Sequence, residues 1–121
     1  MNRLTAVYLP ALWHLGLWSL RLRRGLRVSG RSMLPALRHG DVVLVDPSAS
    51  PVAGDIVLTR HPLRSDTRII KRLDHITDDG RLYLLGDNAA ESTDSRAFGT
   101  LNPDLLIGRV VLRLTSGVQR C

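Results

Sequence analysis

The chain is short of cysteine, lysine and aromatic residues, and each shortage closes a class of function. Cys121, the last residue, is the only cysteine. One thiol makes no intrachain disulfide and no cysteine metal cluster. Aromatics make up 4% of the 121 residues, and no Arg-rich run is interleaved with them. A nucleic-acid surface is therefore not expected. His14, His39, His61 and His75 have no metal-ligand spacing, so no metal and no cofactor is implied and the four read as surface or turn residues. Asp41, Asp55, Asp78 and Asp87 adjoin glycines or lie in turns, and none is assigned a catalytic carboxylate role. The sequence also has no internal repeat and no low-complexity tract.

The lysine shortage is the informative one. Seventeen residues are basic and the net charge is +6, yet Lys71 is the only lysine. Arginine keeps its proton in proteins, whereas a buried lysine can become neutral and act as a base. A chance lysine in an Arg-biased chain is the plain alternative. Much of the positive excess lies between Arg21 and Arg38 and favours acidic partners, a membrane surface among them.

A partner for such a base stands in Val28–Leu37. Ser32 follows Gly30 and Arg31 and precedes Met33, Leu34 and Pro35. Gly30 permits backbone geometry closed to other residues. Pro35 fixes its own φ and biases Leu34 toward extended conformations. Such a turn can hold a serine hydroxyl toward a cleft, where a nearby base would activate it.

Four segments, in order, give a resemblance. Ser32-Met33-Leu34-Pro35, Gly54-Asp55-Ile56-Val57, Ile70-Lys71-Arg72, and Gly86-Asp87-Asn88 through Ser92, Asp94, Ser95, Arg96 and Gly99 resemble the boxes of the signal peptidase I family of Ser/Lys proteases. Within it, Val45-Asp46-Pro47, Arg60-His61-Pro62, Ile69–Arg72 and Glu91–Arg96 are most similar to the short branch of nickel-type superoxide dismutase maturation proteases. The chain departs from the large signal peptidases in lacking a Gly-x-Pro-Gly-Asp run after the lysine box. The likeness covers roughly residues 28 to 112.

The resemblance implies a Ser/Lys dyad in which Ser32 is the nucleophile and Lys71 the base. It also implies Ser92 as a hydroxyl bonded to the lysine, and Asp94 with Arg96 as a bracing ion pair. Strand alternation puts Ile69, Lys71 and Leu73 on one face, which gives the amine apolar surroundings. The backbone N–H of Ser32 is the natural first oxyanion donor. Some family members place a serine two residues before the nucleophile; Gly30 stands there, so that donor is missing. Met33 and Leu34 are candidates for a substrate pocket and equally for the core. Gly86, Asp87 and Asn88 are expected as a turn at the cleft wall and Gly99 as another. The substrate would bind as an extended strand.

The fold expected is mainly β: a small antiparallel β domain of the signal peptidase I catalytic-core type, with an N-terminal apolar helix. The divisions are 1–26 (an apolar and basic segment), 27–115 (the peptidase domain) and 116–121 (a frayed tail). Val42–Val45, Ile56–Thr59, Thr67–Leu73, Leu82–Leu85 and Ile107–Leu114 read as strands, with a hairpin turn at Asp78-Asp79-Gly80. Residues 4–20 are mostly apolar, at the short edge of a membrane span, and interrupted by Pro10, His14 and Gly16. Residues 4–24 give a means of contact with a membrane surface. Arg3 alone precedes the segment, while Arg21, Arg23, Arg24 and Arg27 follow it. That asymmetry leaves the domain in the cytoplasm.

The function expected is proteolytic maturation of a precursor by removal of an N-terminal extension, with the nickel superoxide dismutase precursor as partner. One alternative is a minimal signal peptidase I, membrane-anchored with an external catalytic domain and acting on exported proteins. Another is a catalytically silent basic module at the membrane periphery.

Overall fold

The computed structural model describes residues 24–48, 50–114 and, by backbone, 118–120. The apolar segment 4–20, expected as a helix, lies outside the described residues. Seven strands form one antiparallel sheet. They are β1 (Arg24–Arg27), β2 (Val42–Asp46), β3 (Ile56–Arg60), β4 (Arg68–Ile76), β5 (Leu82–Leu85), β6 (Leu106–Leu114) and β7 (Val118–Arg120). Their spatial order is β1-β2-β6-β3-β4-β5, with β7 beside β6. One short helix, α1 (Ser95–Phe98), and two 3-10 turns, Ala89–Glu91 and Pro103–Leu105, complete the described elements.

Alternation along β3 explains how so small a domain holds a core. Successive side chains of a strand point to opposite faces, and in β3 both faces are covered. Ile56 and Leu58 join Val28, Met33, Leu37, Val43, Val45 and Val110 on one side. Val57 joins Leu73, Leu82, Leu84 and Leu101 on the other. That makes Ile56–Leu58 of β3 a buried apolar run, while β4 and β5 alternate.

The hairpin at Asp78-Asp79-Gly80 is present: Thr77 N–H donates to the Arg81 carbonyl at 2.8 Å and Gly80 N–H to the Thr77 carbonyl at 2.9 Å. Two boundaries differ from the sequence expectation. The sheet begins at Arg24, because β1 pairs with β2 from Arg24↔Val45 to Arg27↔Val42. The segment expected as a frayed tail contains β7, which pairs Val118–Arg120 with Leu112–Leu114. β3 meets β6 only over 106–109, which leaves the rest of that edge to β7. The helix α1 carries no apolar period in the sequence; a side-chain cap starts it, as described below.

Strands β2 and β6 approach closely where β6 has Gly108. A Cβ there would lie 2.6 Å from Val45 Cγ1 and 2.8 Å from the Asp46 carbonyl oxygen. Gly108→Ala should therefore destabilise the domain by roughly 1–3 kcal/mol, the usual cost of overpacking. Urea unfolding should show a lower midpoint with an unchanged slope. An unchanged midpoint would mean that the two strands are not packed this tightly.

Candidate active site

Ser32 sits in a loop, residues 28–41, whose ends are tied together. Val28 N–H donates to the Asp41 carbonyl at 2.7 Å, and Gly40 N–H returns to the Val28 carbonyl at 2.8 Å. Asp41 is buried and accepts from Arg38 N–H at 2.8 Å. Met33 and Leu37, 2% and 1% exposed, pin the loop into the first core cluster. Arg113 on β6 donates to the Ala36 carbonyl at 2.7 Å, so the sheet holds the loop from below. The Leu34–Pro35 peptide is cis. Gly30 has φ +90°, a region that disfavours side chains, and its N–H donates to His39 Nδ1 at 2.9 Å.

Lys71 comes from the centre of β4, opposite Val57 of β3. It is 6% exposed, and Leu73, two residues on, is wholly buried. The buried phase predicted from the sequence is the one observed for both; Ile69 is half-buried. Lys71 Nζ donates to Ser92 Oγ at 3.1 Å, and Ser92 Oγ donates to Asp94 Oδ2 at 2.8 Å. Asp94, 1% exposed, also accepts from Gly86 N–H at 2.9 Å and from the Arg96 guanidinium at 2.9 and 2.7 Å. Its bond from Arg96 N–H at 3.2 Å caps α1, supplying what the helix lacks in apolar patterning.

Burial lowers the Lys71 pKa from 10.5, because an ammonium loses hydration there. Asp94 pulls it back up, and Arg96 pushes it down again. Burial also raises the Asp94 carboxyl, but the bonds from Arg96, Gly86 N–H and Ser92 outweigh it and hold the group well below the usual carboxylate range. The local charges are therefore an anion locked by Arg96 and an amine biased toward neutrality.

Ser32 and Lys71 line the same cavity, of about 490 Å³, along with Leu26–Gly30 and Asp66–Ile70. Among the described residues no hydrogen bond joins the two side chains directly. One wall of the cavity is an open strand edge. Leu73 exchanges both its main-chain bonds with the segment before β3, donating to Asp55 at 2.8 Å and accepting from Gly54 at 2.7 Å. By alternation Lys71 and Ile69 also turn toward β3, so Arg68 and Ile70 offer N–H and C=O on the other edge. Strand β5 pairs only from Arg72 onward, which leaves Ile70 without a strand partner on that edge among the described residues.

The other predicted residues fall as follows. Met33 is both core and cavity wall, whereas Leu34 is half-buried and outside that wall. Pro35 is exposed in the loop, and Gly99 takes φ +78° at the end of α1. Gly86, Asp87 and Asn88 do not line the cavity, contrary to the expected cleft-wall turn. Asn88 holds the Ser32 loop by its backbone instead: Asn88 N–H donates to the Ser32 carbonyl at 2.8 Å and Asn88 Nδ2 to the Arg31 carbonyl at 3.1 Å. Gly86 is dictated by crowding, since a Cβ would lie 2.1 Å from Ser92 Oγ and 2.7 Å from the Ser32 carbonyl oxygen. Two contacts escape sequence reasoning. His39 anchors Gly30. Arg72 makes a paired bridge to Asp87, at 2.8 and 2.7 Å, and donates to the Gly54 carbonyl at 2.7 Å. The only sequence signal for the second was the Arg beside Lys71.

The Peptidase S24-like family matches the chain over residues 24–111. Mitochondrial inner membrane protease subunit 1 of Xenopus tropicalis is 32% identical, over 71% of this chain and 65% of the relative. Mitochondrial ATP-independent inner membrane protease subunit 1a of Arabidopsis thaliana is 32% identical, over 72% of this chain and 67% of its own length. The human subunit 1 is 28% identical, over 71% and 66%. The chain thus spans about two thirds of the length of these relatives.

Because Lys71 is the sole lysine, its titration can be followed by NMR in a lysine-labelled sample. Asp94→Asn removes the charge that favours the ammonium, so the Lys71 pKa should fall further below its wild-type value. The same variant should lose roughly 2 kcal/mol of stability, the scale of charged hydrogen bonds broken in a buried site. A Lys71 pKa that rises in Asp94→Asn would contradict the geometry described.

Proposed function

The chain belongs to the Peptidase S24-like family, and from that premise we propose that it is a serine endopeptidase working through a Ser32/Lys71 dyad. The observation that carries this reading is Lys71 itself. The sole lysine is buried, bonded to Ser92 and set in the wall of the cavity that Ser32 also lines.

In the proposed reaction neutral Lys71 accepts the Ser32 proton as Ser32 Oγ attacks the scissile carbonyl. Lys71 gives that proton to the leaving amine, and an acyl-enzyme remains. A water, deprotonated by Lys71, then releases the acid and regenerates the serine. The Lys71–Ser92–Asp94 chain orients the amine by engaging one of its N–H bonds. Catalytic hydrogen bonds tighten when substrate fills a site, so the missing Ser32–Lys71 bond is compatible with this role. The Ser32 N–H supplies an oxyanion donor. Substrate docks as an extended strand along the open β4 edge, using Ile70.

The relatives are inner membrane protease subunits, which supports processing of precursor proteins close to a membrane. Among the described residues no helix is long and apolar enough to cross one, and residues 4–20 are the proposed membrane-contacting segment. The motif likeness in Arg60-His61-Pro62 and Glu91–Arg96 supports a nickel superoxide dismutase precursor as substrate. The Arg asymmetry around residues 4–20 supports a cytoplasmic catalytic domain. Incubation with that precursor and with a secretory preprotein separates this reading from signal-peptide cleavage, which faster cleavage of the preprotein would favour.

Ser32→Ala should abolish cleavage and keep the fold. Lys71→Arg keeps the charge but cannot deprotonate, so it should be as inactive as Lys71→Ala. Wild-type activity should rise with pH through the lowered Lys71 pKa, below 10.5, and then level off. A folded Lys71→Arg variant that cleaves near the wild-type rate would remove Lys71 from the mechanism.

A further inference from the structure

We propose that the cleft selects a substrate carrying a carboxylate on an aliphatic stem, a glutamate, about three residues from the scissile bond. The proposal rests on the peptidase reading above and adds the side-chain chemistry of what is cleaved.

A second cavity of about 120 Å³ adjoins the main one. Leu26, Leu58 and Arg68 line both, so a chain lying in the first can place a side chain in the second. The second cavity is apolar along Leu26, Val45, Leu58 and Ile107, and it is flanked by Arg24 and Arg68. Both arginines are exposed, and neither has an ion pair among the described residues. Asp66 is the acid nearest in sequence, and it lines only the first cavity.

Position follows from the strand. Lys71 marks the reacting end and Arg68 lies three residues away along β4. An extended substrate beside β4 advances in step with it, about 3.3 Å per residue. A side chain level with Arg68 therefore belongs to the third or fourth residue from the bond that Ser32 attacks. A leucine would fill the apolar part and leave two guanidinium groups unanswered. A lysine would meet like charge. A glutamate lays its methylenes on Leu26 and Leu58 and brings a carboxylate to donors whose planar fork matches it.

The test uses the full chain and a synthetic peptide library, with cleavage sites read by mass spectrometry. Matched peptides bearing Glu, Asp, Gln, Leu or Lys at the selected position then give kcat/KM. Glu should be enriched at the third or fourth residue from the bond, with kcat/KM on the order of tenfold above Gln and Lys poorest. Arg68→Gln should erase the Glu-over-Gln preference, and Arg68→Glu should invert it toward Lys, with both variants as stable as wild type. A preference for Leu over Glu at that position would overturn the proposal, as would a Glu preference that survives in Arg68→Glu. Failure of the wild-type chain to cleave any peptide would instead overturn the peptidase reading, and the proposal with it.

Discussion

A carboxylate that is 1% exposed must be surrounded by donors or it will not stay charged, and the site is organised around meeting that demand at Asp94. Its partners come from three places in the chain: the Gly86 N–H at the end of β5, the Ser92 hydroxyl, and Arg96 in α1. Fixing these fixes the segment 86–96, and that segment carries two of the contacts that matter most. Ser92 accepts from the Lys71 amine, and Asn88 N–H donates to the Ser32 carbonyl. One buried charge thus sets the spacing between Lys71 and the Ser32 loop through Ser92 and Asn88.

The arrangement carries an internal tension. Asp94 favours a charged Lys71, which is the wrong state for a base. Burial and Arg96 work the other way, so the Arg96 bridge both stabilises the carboxylate and shields the amine from it. Both groups make stability rise with pH, in two separate windows. The Asp94 carboxyl is held below its unfolded value of 3.8, so its stabilising contribution is present above that pH and is lost as pH falls toward the folded value. Lys71 is held below 10.5. The unfolded chain binds that proton more readily, and its burial opposes folding until pH rises through the window between the lowered value and 10.5. A domain built this way concedes some stability at neutral pH to hold an amine whose pKa burial lowers.

Much of this was legible in the sequence, and what was legible was local. The Asp78–Gly80 hairpin follows from turn chemistry within five residues. The buried phase of Lys71 follows from alternation with Leu73. Ser32, Ser92, Asp94 and Arg96 were marked as a group by the family likeness. The rest depends on contacts between distant segments. No pattern around Gly86 announces that a Cβ would strike Ser92 and the Ser32 carbonyl. Asp87 read as a turn residue because its partner, Arg72, lies fifteen positions away. His39 read as a surface histidine, and its role at Gly30 emerges only when the loop closes on itself. The helix α1 was missed for a related reason: four residues held by one cap carry no period to detect.

The edges of the sheet tie the fold to recognition. Among the described residues β1 pairs only with β2, and the first half of β4 only with β3, yet both line the same cavities. The sheet therefore curls until two unpaired edges face each other across a gap. Open edges invite adventitious strands, and proteins commonly guard them with charge. Here Arg24, Arg27 and Arg68 stand along the two edges, all exposed. Charges of one sign on both sides of the gap discourage pairing with a second copy of this basic chain. They do not discourage an acidic strand. The residues that keep the gap from being filled at random are then the ones that bias what can fill it, and the same positive edge serves as a guard toward self-association and as a filter toward substrate.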